Sequence, residues 1–214
     1  MKRSKGRFLL GEILPKAKEI YDKLKDLKEV ERIDVAGSLR RMKETIGDVD
    51  FLIISKNPVP VMDFFVKLSG VEKIWGKGGT KASVHMKQGF DMDLRIVPEK
   101  SYGSALQYFT GSKDHNITTR KIAIEKGLKL SEYGLFKGSK MIASKREEDI
   151  YKALEMTWMP PEIRENTGEV EAALREFKGE LPVLPKLVEL TDIRGDLHCH
   201  SNWDGGEHSI EEMA

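Results

Sequence analysis

One stretch limits what this chain can become: Val35-Ala36-Gly37-Ser38-Leu39-Arg40-Arg41-Met42-Lys43-Glu44-Thr45-Ile46-Gly47-Asp48-Val49-Asp50-Phe51-Leu52-Ile53-Ile54. An apolar strand end turns at Gly37-Ser38, and two adjacent arginines follow. A second turn at Gly47 opens a strand running from Asp48 to Ser55. Side chains alternate faces along a strand, so Asp48 and Asp50 point one way while Val49 and Phe51 point the other, into a core. Neighbouring carboxylates on an open sheet face repel each other and lose solvation. A divalent cation relieves both costs, and hard oxygen ligands suit Mg²⁺. Gly37 and Ser38 offer backbone N–H groups and a hydroxyl to a phosphate, and Arg40 and Arg41 add charge for the same anion. A metal site beside a phosphate cradle points to nucleotide chemistry.

Phe90-Asp91-Met92-Asp93-Leu94-Arg95-Ile96-Val97-Pro98 is the second informative strand. Met92, Leu94 and Ile96 form its buried face, so Asp91, Asp93 and Arg95 share the other. Beside the Asp48–Asp50 strand it supplies a third carboxylate, the usual arrangement for two ions ~3.5–4 Å apart. The Lys77-Gly78-Gly79-Thr80 run lacks phosphate-loop spacing and reads as a hairpin turn.

The rest of the pattern alternates helices and strands. Ile13, Ala17, Ile20, Tyr21, Leu24 and Leu27 recur at helical spacing, which predicts an amphipathic helix from Glu12 to Lys28, then a strand from Arg32 to Ala36. Asn57-Pro58 breaks the chain before a short helix from Val61 to Leu68, and strands follow at Val71–Trp75 and Lys81–Met86. Further helices are expected at Gly103–Thr110, from Ser112 to Lys126 with Ile117, Ile122 and Ala123 inward, at Glu147–Leu154 and at Glu169–Phe177. Two short strands surround a turn within Lys129–Phe136. His115 reads as a polar residue at a helix start. The architecture this implies is α/β (α+β), a small mixed sheet backed by helices followed by a small helical-plus-hairpin subdomain.

The chain of 214 residues has room for one large or two modest domains. A net charge of +1 does not announce a nucleic-acid partner, but Lys113 to Lys145 holds eight basic and three acidic residues, which suits a surface that tracks phosphates. The single cysteine, Cys199, excludes an internal disulfide and fits a reducing cytoplasm. No stretch approaches the roughly 18 apolar residues of a membrane span.

Gly37-Ser38, followed ten residues later by Asp48-x-Asp50, resembles the signature of the nucleotidyltransferase superfamily. With Arg40, Arg41 and Gly47 in place it is closer still to the GSxRR…GDxD form of the family X DNA polymerases. Their hydrophobic-Asp-hydrophobic-Arg string selects Asp93 as the metal ligand and Arg95 as its partner and a DNA contact, leaving Asp91 as a strand-edge residue. Tyr108-Phe109-Thr110-Gly111-Ser112, then Asn116 and Arg120, is similar to their nucleotide pocket. The resemblance implies that Tyr108, Phe109 and Gly111 line the sugar, Asn116 reaches the base, and Arg120 follows the template. Arg7 falls at a basic position near the triphosphate. Arg41 is assigned to the triphosphate with Ser38, Gly37 and Gly47, and Arg40 to the surface.

The implied reaction is transfer of a nucleotide from a dNTP to a primer 3′-hydroxyl on gapped DNA, as in base excision repair. Asp48, Asp50 and Asp93 would hold two Mg²⁺ ions, with Mn²⁺ as a substitute. Trp158-Met159-Pro160-Pro161-Glu162-Ile163-Arg164-Glu165 closes the region in the manner of prokaryotic members.

Residues 1–100 are thus expected to form the palm and 101–165 the nucleotide- and template-binding subdomain. An acidic linker with one helix spans 166–192. Asp196-Leu197-His198-Cys199-His200-Ser201 resembles the first motif of the polymerase-and-histidinol-phosphatase (PHP) domain, so 193–214 reads as the start of one. Both imidazoles of a His-x-His on a strand share one face, a metal-site arrangement. Asp204 sits one residue early for that motif. Ser209 is expected to cap a helix beginning at the end of the chain, as in a piece of a longer polypeptide. The resemblance also implies an N-terminal lyase-like domain and helix-hairpin-helix elements that grip DNA, and without them before Met1 the hold on primer and template is expected to be weaker. Two other readings share the carboxylates: a template-independent nucleotidyltransferase, and a non-catalytic DNA-binding fragment.

Overall fold

Element order follows the hydrophobic pattern closely. The computed structural model describes residues 6–213. The chain begins with β1 (Phe8–Leu9), α1 (Leu10–Lys25), β2 (Arg32–Ala36), α2 (Gly37–Arg40), β3 (Thr45–Ile46), β4 (Asp48–Ile54) and α3 (Pro58–Val66). Next come β5 (Val71–Lys77), β6 (Lys81–Met86), β7 (Asp91–Ile96), α4 (Tyr102–Thr110) and α5 (Lys113–Glu125). Then follow β8 (Lys129–Ser131), β9 (Gly134–Lys137), β10 (Lys140–Ala143), α6 (Glu147–Ala153), α7 (Glu169–Phe177) and α8 (Ile210–Met213). Among the described residues no helix is long and apolar enough to cross a membrane.

The main sheet has the order β2-β4-β7-β6-β5. Its β4–β7 pair is parallel and the other pairs antiparallel. Val49, Phe51 and Ile53 on β4 and Met92, Leu94 and Ile96 on β7 pack beneath Ile13, Ala17, Ile20 and Leu24 of α1 and Val61, Met62 and Phe65 of α3. Each of these side chains larger than alanine contributes about 1.5–3 kcal/mol on burial. The opposite face of β4 is divided. Leu52 and Ile54 are covered by Tyr102, Ala105 and Leu106 of α4. The N-terminal half of the same face carries Asp48 and Asp50, which α4 leaves uncovered at the level of half-exposed side chains.

A second core joins α5, the β8-β9-β10 sheet, α6 and α7 through Ala123, Leu130, Leu135, Ile150, Leu154, Met159, Val170 and Ala173. This core corrects three expectations. The hairpin gains a third strand, β10, whose Met141 and Ile142 are exposed and so gave no period-two signal. Helix α7 is packed, not part of a free linker, and the first compact unit runs to Leu184. Helix α5 buries His115, Asn116, Thr119 and Ala123, while Ile117 and Ile122 are only partly covered. Helix α3 begins at Pro58 because proline is well suited to a first helical turn.

The second unit begins at Pro185. Its described residues form a 3-10 turn at Leu190–Asp192 and the short α8, where Ser209 and Glu212 exchange capping hydrogen bonds. His198 and His200 do not lie on a strand, since Ile193 and Leu197 are exposed and bury against nothing that would order one.

Candidate active site

The site starts where β2 ends. Gly37 adopts φ +62°, and a Cβ placed there would fall 2.2 Å from Oδ2 of Asp50. Glycine is required twice over, for the left-handed backbone and for the close approach of a carboxylate. The parallel register sets Asp50 opposite Asp93 and Asp48 opposite Asp91. Adjacent strands lie about 4.8 Å apart, so Asp50 and Asp93 stand side by side on one face. Asp48 is exposed, and Asp50 and Asp93 are half-buried, open enough to receive a ligand.

Asp91 differs from the strand-edge residue that was expected. Strand β7 is internal, and Asp91 is buried, accepting hydrogen bonds from Trp75 Nε1 at 2.9 Å and His85 Nδ1 at 2.6 Å. Its carboxylate is committed across the sheet, away from its three neighbours.

Asp48, Asp50 and Asp93 bring three hard oxygen donors to one face, the donor chemistry that a divalent cation takes, with Asp50 pressed against a glycine that leaves it room. Among the described residues no three His, Cys, Asp or Glu side chains are positioned to hold a metal ion as they stand. At the mouth of β4, Arg7 donates to Thr45 Oγ1 at 2.8 Å and also to the Thr45 carbonyl. A Cβ on Gly47 would lie 3.3 Å from its guanidinium.

Next to this face, Arg41, Tyr108, Phe109, Thr110, Gly111, Lys113, Asn116 and Arg120 line a cavity of about 290 Å³. Six of them are sequence-predicted site residues that the fold brings together. Gly111, with φ +71°, closes α4, and a Cβ there would press on Arg41 Nη1 at 3.1 Å. The Asn116 amide donates to the Tyr108 carbonyl and accepts from Gln107, each at 2.7 Å. Arg120 Nε donates to the Asn116 carbonyl at 3.0 Å. Arg95 lies with its guanidinium 4.4 Å from the Phe109 ring centroid, and Tyr108 meets Phe109 edge to face.

The arginine pair is more deeply engaged than its sequence suggests. Arg40 is not a surface residue. It forms a two-pronged pair with Glu147 at 2.9 and 2.7 Å and donates to Thr110 Oγ1 at 2.6 Å. Arg41 holds Glu165 at 2.8 Å and donates to the Thr110 carbonyl. Glu147 also takes Nη1 of the fully buried Arg164 at 2.7 Å. Burial works against the Glu147 charge, yet Arg40 and Arg164 hold its pKa down at about 2. His115 is likewise buried, between Glu169 and Tyr151. Sequence reasoning missed Glu147, Glu165, Glu169 and Tyr151 as site supports. Of these only Glu165 lay in a string already singled out, beside the buried Arg164.

Comparison with known proteins bears on this arrangement. Residues 105–165 match the DNA polymerase beta thumb family. The chain is 37% identical over 212 residues to the DNA polymerase/3′-5′ exonuclease PolX of Bacillus subtilis, covering 97% of this chain and 36% of that protein. It is 31% identical over 146 residues to the repair DNA polymerase X of African swine fever virus isolate Warthog, covering 62% of this chain and 80% of the viral protein. The chain therefore spans little more than a third of the Bacillus relative and most of the viral one. A carboxylate face beside a thumb-lined cleft, with matches of this identity and coverage, makes the chain a member of the family X DNA polymerases.

Proposed function

We propose that this chain is the palm and thumb of a template-directed DNA polymerase that fills gaps during repair. The observation that carries the reading is the β4–β7 register, which sets Asp50 beside Asp93 next to a cleft rimmed by Arg41, Tyr108, Asn116 and Arg120. The relatives' names, DNA polymerase PolX and repair DNA polymerase X, support it.

Asp48, Asp50 and Asp93 would hold the cations, in our reading two Mg²⁺, whose chemistry is to acidify the primer hydroxyl and to neutralise charge on the departing pyrophosphate. The chain's own groups then have separate tasks. Ser38, Arg41 and the Gly37 and Gly47 backbone hold the β- and γ-phosphates. Tyr108, Phe109 and Gly111 shape the sugar's place, and Asn116 and Arg120 fix the base and its template partner. Arg95 braces Phe109 and reaches toward the DNA. The unit from Pro185 we read as the start of a PHP domain, and the single cysteine, Cys199, is what supports a cytoplasmic setting.

Single-nucleotide extension on a gapped primer-template with Mg²⁺ tests this. Incorporation directed by the template base, lost in Asp93→Asn, is the expected result. Addition without regard to the template would instead identify a template-independent nucleotidyltransferase. Metal-dependent dNTP binding without any incorporation would identify a non-catalytic fragment.

A further inference from the structure

Helix α7 lies beyond residue 165, where the match to the polymerase beta thumb ends, yet it reaches back to the helix that walls the nucleotide cleft. His115, the third residue of α5, is fully buried. Its Nδ1 lies 2.8 Å from Glu169 Oε1 on α7 and its Nε2 lies 2.9 Å from the Tyr151 hydroxyl on α6. Burial lowers the imidazole pKa, and the Glu169 hydrogen bond restores only part of it, so the ring is neutral. A neutral ring between these partners has one arrangement. Nδ1–H donates to the carboxylate and Nε2 accepts from Tyr151.

Glu169 is itself fixed. It accepts the backbone N–H groups of Asn166 at 2.8 Å and Thr167 at 2.7 Å. Thr118, one turn along α5, donates to the Asn166 side chain at 2.8 Å. The residue after His115 is Asn116, which with Arg120 forms the cleft wall.

We propose that α7 is a strut for the nucleotide cleft, with Glu169 and His115 as positioning residues that set where Asn116 meets the incoming dNTP and Arg120 its template partner. Apolar contacts of Val170 and Ala173 hold α7 on the thumb, and the Thr157 N–H donates to the Ala173 carbonyl at 3.1 Å. The directional Glu169–His115–Tyr151 chain is what ties the start of α7 to α5. The proposal rests on the polymerase reading above.

The test compares wild type, Glu169→Ala, Glu169→Asp, Glu169→Gln and the exposed α7 control Glu171→Gln, all in the full chain. Measurements are kcat and KM for dTTP on a gapped primer-template, affinity for the same DNA, and melting temperature. Glu169→Ala is expected to raise the dTTP KM about tenfold, in keeping with the cost of a small misplacement of substrate-holding groups. DNA affinity should stay within about twofold. Glu169→Asp, milder for folding, should raise KM in the same direction. Glu169→Gln keeps an acceptor for Nδ1–H but sets an amide NH₂ against the Thr167 N–H, so it should recover only part of the loss, while Glu171→Gln should match wild type. Variants that melt earlier yet keep the wild-type KM would overturn the proposal and leave a purely structural pair. If wild type incorporates nothing, the polymerase reading fails, and amide exchange decides the strut on its own. Faster exchange across residues 113–120 in Glu169→Ala supports it, and unchanged exchange overturns it.

Discussion

The guanidinium of Arg95 lies 4.4 Å from the centroid of the Phe109 ring and so joins the carboxylate-bearing strand β7 to the last turn of α4. Arg95 sits two residues after Asp93 on the same face, so this stack ties the carboxylate face to the cavity that Phe109 lines. A double-mutant cycle with Arg95→Ala and Phe109→Ala should give a coupling of about 0.5–1 kcal/mol in denaturant unfolding, the range for a partly exposed cation–π pair. Additive losses would mean that the two side chains are adjacent without interacting.

The two aspartates of β7 should separate cleanly. Asp93→Asn is expected to abolish nucleotide incorporation with a small change in melting temperature. Asp91→Asn should do the reverse, because its buried carboxylate anchors Trp75 and His85. A loss of about 1–3 kcal/mol is expected there, the cost of disturbing buried hydrogen bonds. Incorporation that survives Asp93→Asn but not Asp91→Asn would reverse the assignment.

Strands announced themselves in this sequence and the polar scaffold did not. Period-two alternation located β4 and β7 almost to the residue and put Asp48 with Asp50 and Asp91 with Asp93, while the family resemblance was what chose Asp93 over Asp91. The same logic missed β1 and β3, each two residues long, and β10, whose apolar side chains face outward. Helix α5 misled because its buried stripe is His115, Asn116, Thr119 and Ala123, which no hydrophobicity pattern marks. Buried polar residues become visible only when their partners arrive from distant elements, as Glu169 does for His115 across 54 positions. Arg40 followed the same rule, reading as a solvated charge until Glu147 appeared opposite it.

Arg40 and Arg41 should accordingly fail in different ways. Arg41→Ala is expected to raise the dNTP KM by an amount equivalent to about 1.5–3 kcal/mol, the range for hydrogen bonds to a charged group. Arg40→Ala should chiefly lower stability, because it strips one partner from the buried Glu147. Matching KM values with both variants folded would remove Arg41 from the phosphate cradle.

His198 and His200 stand with ring centroids 5.2 Å apart, and His200 Nδ1 lies 3.0 Å from Asp204. A closed metal site needs about four ligands held by their neighbours. Zinc titration of this chain should therefore show only weak binding at this pair. Submicromolar, stoichiometric binding lost in the His198→Ala/His200→Ala double variant would show a complete site.

Acid should unfold the first unit in two stages with the same sign. His115 has a folded pKa below its ordinary 6.5, chiefly through burial. The unfolded imidazole then takes up a proton that the folded one refuses, so stability present above pH 6.5 declines as pH falls through that value. Glu147 has a folded pKa of about 2 against an ordinary 4.5. Its contribution is present above pH 4.5 and is lost progressively as pH falls toward 2, amounting to about 3 kcal/mol at neutrality. Urea midpoints between pH 7.5 and 3 should fall in both windows. Glu147→Gln should flatten the lower one while costing about 3–5 kcal/mol at neutral pH, because Arg164 is then left buried with an uncharged partner. Glu147→Asp, which keeps the charge, should retain the acid-sensitive slope. A midpoint that is level from pH 7.5 to 5 would mean that His115 takes up its proton alike in the folded and the unfolded chain, and a Glu147→Gln variant as stable as wild type would mean that Arg40 and Arg164 do not depend on this carboxylate.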